Sequence, residues 1–148
     1  MTELAAQRLN DGVRWPMTRE ACDRLVDEIA HLRRELSTLT GQGLEEGIVQ
    51  LAVLHASRRL ATLTQVLDCA ERVDETASAA IGRRATLRDE HGDAMSYTIV
   101  FPGDGDPAQG WISADSPLGA AILGGHPGEM VEVRAPLGRW TATIVSVE

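Results

Sequence analysis

Aromatic side chains are scarce: three tryptophans, one tyrosine and one phenylalanine make up 3% of 148 residues. Single-stranded nucleic-acid binders stack bases on such rings, so the shortage argues against that activity as an autonomous function. Cysteine is nearly missing as well. Cys22 and Cys69 are the two present, and neither has histidines at metal-ligand spacing, which leaves no metal site to assign. Both read as compact apolar thiols, although a helical hairpin would bring them to one end, where a disulfide is geometrically conceivable. No run approaches the roughly 18 apolar residues of a membrane span. The N-terminus carries Glu3 and Asp11 without a long apolar stretch, unlike a secretory signal. A cytoplasmic protein without a membrane partner is expected. The net charge of -8 repels a phosphate backbone at long range, so nucleic acid could be touched only through a local basic face.

What the chain does have is two hydrophobic repeats that mirror each other. Cys22, Leu25, Ile29, Leu32, Leu36 and Leu39 form the first; Val49, Val53, Ala56, Leu60, Leu63, Leu67 and Ala70 form the second. Each steps by alternating threes and fours, the seam spacing of a coiled coil. Folded back about residue 44, Leu39 meets Val49, Leu32 meets Ala56 and Cys22 meets Leu67, which predicts an antiparallel helical hairpin over 16–75. Residues 1–15 are read as an N-terminal extension. Trp15–Thr18 is an extended lead-in, with Thr18 as N-cap and Glu20 favourable in the first turn. The first helix is predicted from about Arg19 to Leu39, stopped at Thr40-Gly41-Gln42-Gly43, and the second from between Leu44 and Ile48 to about Val73.

Asp74-Glu75-Thr76-Ala77-Ser78 is a polar break, after which the period becomes strand-like. Strands are predicted at 85–87, 95–101, 111–113, 130–134 and 140–147. A short helix opens at Ser116-Pro117, with serine capping and proline at the first helical position, and closes at Gly124-Gly125. The fold class is α+β: a coiled-coil hairpin followed, over 79–148, by a small antiparallel sheet with one short helix. With so few aromatics available, Trp111 and Trp140 are assigned to the core.

Tyr97-Thr98-Ile99-Val100, Ile112 to Gly119, Leu123-Gly124, Pro127-Gly128-Glu129 and Thr143 to Glu148 resemble the C-terminal domain of bacterial Gre transcription elongation factors. Pro16-Met17-Thr18 and the leucine-seamed hairpin resemble the start of that family. The resemblance implies an FKBP-like fold for the sheet domain, docked at the rim of the RNA polymerase secondary channel. It also implies a coiled coil reaching down that channel, and it puts Asp115, Ser116, Pro117 and Leu118 at the docking surface. In transcript-cleavage members, acidic tip residues help hold a catalytic magnesium that belongs to the polymerase, where the ion activates water and stabilises charge on phosphate. The factor needs no cofactor of its own and is not itself an enzyme.

The tip departs from that pattern. Cleavage members carry a sequence resembling Gly-Asp-Leu-x-Glu-Asn, then Ala-Glu-Tyr; here residues 40–47 read Thr-Gly-Gln-Gly-Leu-Glu-Glu-Gly. The arms are also shorter by ~4–5 residues, which withdraws the tip by roughly 7 Å. Efficient cleavage is therefore not carried over. Glu45 and Glu46 are the acidic tip candidates. They serve either as substitute metal ligands or simply as charge suited to a helix start. Arg33, Arg34, Arg58 and Arg59 form a candidate basic patch for nascent RNA or the channel wall, or else a solvated face. His31 and His55 lack a third metal ligand. Three functions compete: a channel-binding regulator, a cleavage factor using Glu45 and Glu46, and a prolyl isomerase by analogy of fold. A serine hydrolase at Ser116, Asp115 and His126 lacks the strand–serine–helix elbow. The hairpin seam is satisfied within one chain, so a monomer is expected.

Overall fold

A computed structural model describes residues 14–41, 46–73 and 77–148. Strand β1 (Trp15–Met17) leads into helix α1 (Arg19–Gly41), and helix α2 (Glu46–Asp68) packs along it. At ~1.5 Å rise, 23 residues make each helix about 34 Å long. Thr18 caps α1 as its sequence requires: Oγ1 accepts the Ala21 amide at 3.1 Å. Leu25, Ile29, Leu32, Ala56 and Leu63 are buried along the seam. Val66, outside the repeat, is fully buried too. The predicted helical turns before Arg14, the hairpin turn at 42–45 and the centre of the polar break, 74–76, lie outside the described residues.

The second helix ends five residues before the predicted Val73. After Asp68 the chain forms β2 (Ala70–Arg72), which pairs in parallel with β1, so Ala70 sits in a strand rather than in the seam. Trp15 N–H donates to Cys69 O at 2.6 Å, and Val73 N–H to Met17 O at 3.1 Å, closing both ends of the pairing. Those amides gain sheet partners some 55 residues away in sequence, a competition that local periodicity does not register.

The second half builds a five-stranded sheet from β3 (Arg84–Asp89), β4 (Ala94–Val100), β5 (Trp111–Ser113), β6 (Met130–Ala135) and β7 (Gly138–Val147), in the order β5-β4-β3-β7-β6. The sheet is mixed rather than purely antiparallel, because β5 joins β4 in parallel. A crossover through the 3-10 turn Pro107–Gln109 makes that direction available. Asp89 folds the β3–β4 turn by accepting the His91 and Asp93 amides, each at 2.9 Å. Helix α3 (Pro117–Ile122) lies against β5 and β6.

One buried cluster runs through both halves. Trp15, Met17, Ala21, Leu25 and Val66 continue into Ile81, Ala85, Leu87, Ile99, Ile122 and Ile144. Each large side chain of this kind contributes about 1.5–3 kcal/mol by leaving water. Ile81 is the hinge point: its amide donates to Pro16 O at 2.9 Å and its carbonyl accepts the Thr18 amide at 3.0 Å. Gly82 follows at φ +97, and a Cβ there would lie 2.5 Å from Thr18 Oγ1. The close approach of sheet and helix therefore requires glycine.

Candidate functional site

The arm and its seat constitute the candidate site. Arg59, on α2, reaches across to the loop after β4. Its guanidinium donates to Pro102 O and pairs with Asp104 Oδ1 at 2.7 Å. Arg83 fastens the chain where the arm rejoins the sheet, donating to Val73 O and Ser78 O, each at 2.8 Å. Beside the Arg59 bracket lies a cleft of about 540 Å³ between arm and sheet, lined by Arg24, Asp27, Glu28, His31, Arg34 and Phe101 among others. A neighbouring recess of about 270 Å³ is floored by Ile81, Ile99, Phe101 and Trp111. Two aromatic rings border it.

This geometry divides the four arginines. Arg33, Arg34 and Arg58 are exposed on the arm. Arg59 is not part of a free basic patch: its side chain is 23% exposed and committed to the sheet domain. The long guanidinium found a carbonyl and a carboxylate more than 40 residues away, which helix spacing alone does not reveal. His31 makes a weak contact of 3.8 Å with Glu35 one turn on, and His55 is exposed. Among the described residues no group of three or more histidines, cysteines or acidic residues could hold a metal ion. Glu45 lies outside the described residues, and Glu46 is placed by its backbone alone, as the first residue of α2.

At the other candidate surface, Asp115 and Pro117 are exposed while Ser116 and Leu118 are half-buried. Ser116 Oγ donates to Ser113 O at 2.7 Å and accepts the Gly119 amide at 3.1 Å. Both bonds hold the hydroxyl as a cap, away from any nucleophilic role. Gly119 is needed for the same packing, since a Cβ would come within 2.0 Å of Ser113 O. His126 sits in a separate exposed turn, its amide donating to Glu129 Oε2 at 3.0 Å. The Asp115–Leu118 turn is thus presented rigidly. Trp140 is half-buried, but Trp111 is 38% exposed, so it is a surface ring rather than the core residue expected. Being at a sheet edge, it is covered on fewer sides than a central strand residue. Trp15 is the tryptophan that fills the core, at 1% exposure. Cys22 and Cys69 are half-buried free thiols. No helix among the described residues is long and apolar enough to cross a membrane.

Comparison with known proteins joins these halves. The family profile described as "Transcription elongation factor, GreA/GreB, C-term" matches residues 74–148. A transcription elongation factor GreA of Chloroflexus aggregans is 32% identical over 150 residues, spanning 88% of this chain and 95% of that protein. A second GreA, from Thermomicrobium roseum, is 28% identical, spanning 91% and 97% respectively. Among solved structures, GreA factor homolog 1 (Gfh1) of Thermus thermophilus aligns at 20% identity and a TM-score of 0.44, over 91% of this chain and 98% of that one. A GreA/GreB factor of Nitrosomonas europaea aligns at 23% identity and 0.46, over 90% and 98%. A profile over the sheet domain and a relative matched through hairpin and sheet together show that the chain belongs to the GreA/GreB family of transcription elongation factors.

Proposed function

We propose that this protein binds core RNA polymerase, inserts its hairpin into the secondary channel and modulates transcription without efficient transcript cleavage. The observation that carries the reading is the pairing of a braced two-helix arm with a tip that lacks the aspartate and asparagine of cleavage members. Such an arm occupies space and excludes other molecules. Holding a divalent ion demands ligand positions good to a few tenths of an ångström. Glu45 and Glu46 are the acidic residues that the tip sequence offers in place of that pattern.

In this reading Asp115, Ser116, Pro117 and Leu118 dock the sheet domain at the channel rim. Arg33, Arg34 and Arg58 face the channel wall or nascent RNA, and Arg59 sets the angle of the arm. The protein works as a cytoplasmic monomer, and any magnesium involved is the polymerase's. Incubation with purified core polymerase tests the proposal on two readouts. Full-length RNA should change in amount, and backtracked RNA should not shorten. RNA shortening that disappears in the Glu45→Ala, Glu46→Ala variant would transfer the protein to the cleavage class. Absence of polymerase binding at tens of micromolar would end both readings.

A further inference from the structure

The sheet has two faces, and one of them is covered. Ala85, Leu87, Ile99, Val133, Ala142 and Ile144 point into the core. Side chains alternate along each strand, so the intervening residues form the opposite face. Cross-strand register assembles that face row by row. Trp111 neighbours Thr98, which neighbours Arg84; Ser96 neighbours Thr86, which neighbours Ser146; Arg88 lies between Ala94 and Thr143. Beyond β7, Thr141 pairs with Glu132 and Arg139 with Arg134. Arg84, Arg88, Arg134 and Arg139 are all exposed there, and the hydroxyl residues between them are partly so.

Two acidic residues share the face. Glu132 stands 3.6 Å from Arg134 and 3.7 Å from Arg139, and Glu148 lies opposite Arg84, to which it is hydrogen-bonded through the backbone. Four arginines against two glutamates make this a positive surface on a protein of net charge -8. The composition sharpens the contrast, since every one of the 14 basic residues is an arginine and none a lysine. Guanidinium groups grip phosphate oxygens in pairs, and serine and threonine hydroxyls complete phosphate contacts. Thr86 joins Ser96 through a hydroxyl–hydroxyl contact of 3.0 Å, leaving further acceptor and donor capacity between Arg84 and Arg88. Trp111, the most exposed of the described aromatic rings, borders this array.

We infer that the open face of the sheet contacts single-stranded RNA, with Arg84 and Arg88 on the phosphates and Trp111 stacking one base; the binding is mainly electrostatic, as a single ring requires, and not the multi-ring stacking that the scarcity of aromatics excludes. An acidic protein partner would also satisfy the arginines and would use the exposed Met130 and Val145 of β6 and β7; the rows of hydroxyls between arginines fit a repeating phosphate backbone better, and the exposed ring at the edge fits a base. Arg84 and Arg88 line neither cleft beside the arm and lie apart from Asp115–Leu118, whereas Trp111 and Thr98 also border the recess next to Arg24 of the arm, so the two arginines test the face separately from the hairpin.

Fluorescence anisotropy of the full chain with a labelled oligouridylate of about 20 nucleotides, at low salt, tests it. The Arg84→Ser, Arg88→Ser double variant should bind at least tenfold more weakly, and its log–log salt slope should flatten by about 1.4, the value for two lost phosphate contacts. Trp111→Ser should weaken binding about fivefold or more. Arg14→Ser, at an exposed arginine outside the five-stranded sheet, should leave this binding within about twofold, given the local nature of phosphate contacts. Absence of RNA binding by the wild type overturns the inference, as does binding that survives in the double variant or vanishes in the Arg14 variant. Circular dichroism of each variant separates loss of contact from loss of fold. Low-salt self-association, detected by sedimentation and abolished by the double variant while RNA binding persists, would reassign the face to a protein partner.

Discussion

The root of the hairpin and its outer half are made of the same heptads and behave differently. Near the sheet, Ala21, Leu25, Leu63 and Val66 have no exposed surface. Farther out, Leu36, Leu39, Val49 and Val53 are only half-buried, while Leu51 and Leu54 are 58% and 44% exposed. The root helices touch each other and also the β1–β2 pair and Ile81, whereas the outer helices cover one another along a single seam. A third layer is what converts a coiled-coil stripe into a core.

That contrast can be broken most severely at the root. Trp15→Ala or Leu63→Ala should cost about 3–5 kcal/mol in urea unfolding, while Leu36→Ala in the outer half should cost only about 1 kcal/mol, since little burial is lost. Equal losses at both places would show that the layers do not matter. Trp15 also buries an indole N–H that has no partner among the described residues. Trp15→Phe should therefore be milder than the alanine change, because it keeps most of the buried ring while removing a donor that has no partner to lose.

Next in size are the close approaches. Gly82→Ala should destabilise by about 1–3 kcal/mol, because the new methyl meets Thr18 and the backbone has positive φ. Gly119→Ala should cost at least as much, through Ser113 O.

Arg59→Ala should cost about 1 kcal/mol, a part-exposed pair plus one carbonyl hydrogen bond. Faster amide exchange confined to residues 101–104 would identify it as the strut between arm and sheet. Smallest of all, Leu51→Gln should change stability by less than about 0.5 kcal/mol, since its side chain is already in water.

The helices were legible because their evidence is local. Thr18 caps, Leu25 to Leu39 repeat, and Ser116-Pro117 opens a helix wherever it stands. The alternation at Ala85, Leu87 and Ile99 likewise announced a sheet. Legibility failed where a partner came from far along the chain. Ala70–Arg72 looks helical until β1 supplies its hydrogen bonds, and the direction of β5 depends on a crossover. Arg59 looks like a free surface cation until Pro102 and Asp104 arrive beside it. Trp111 was assigned inward by the scarcity of rings, yet composition carries no information about which strand lies at an edge.

Residue order alone established a two-helix arm, an α+β plan, the capped turn at Ser116 and the unusual tip, all of which arise from interactions within a few residues. The tertiary structure decided where the arm is rooted, which arginine braces it and which sheet face stays open. Those outcomes depend on surfaces meeting across 40 or more residues, where burial and hydrogen-bond competition outweigh local preference.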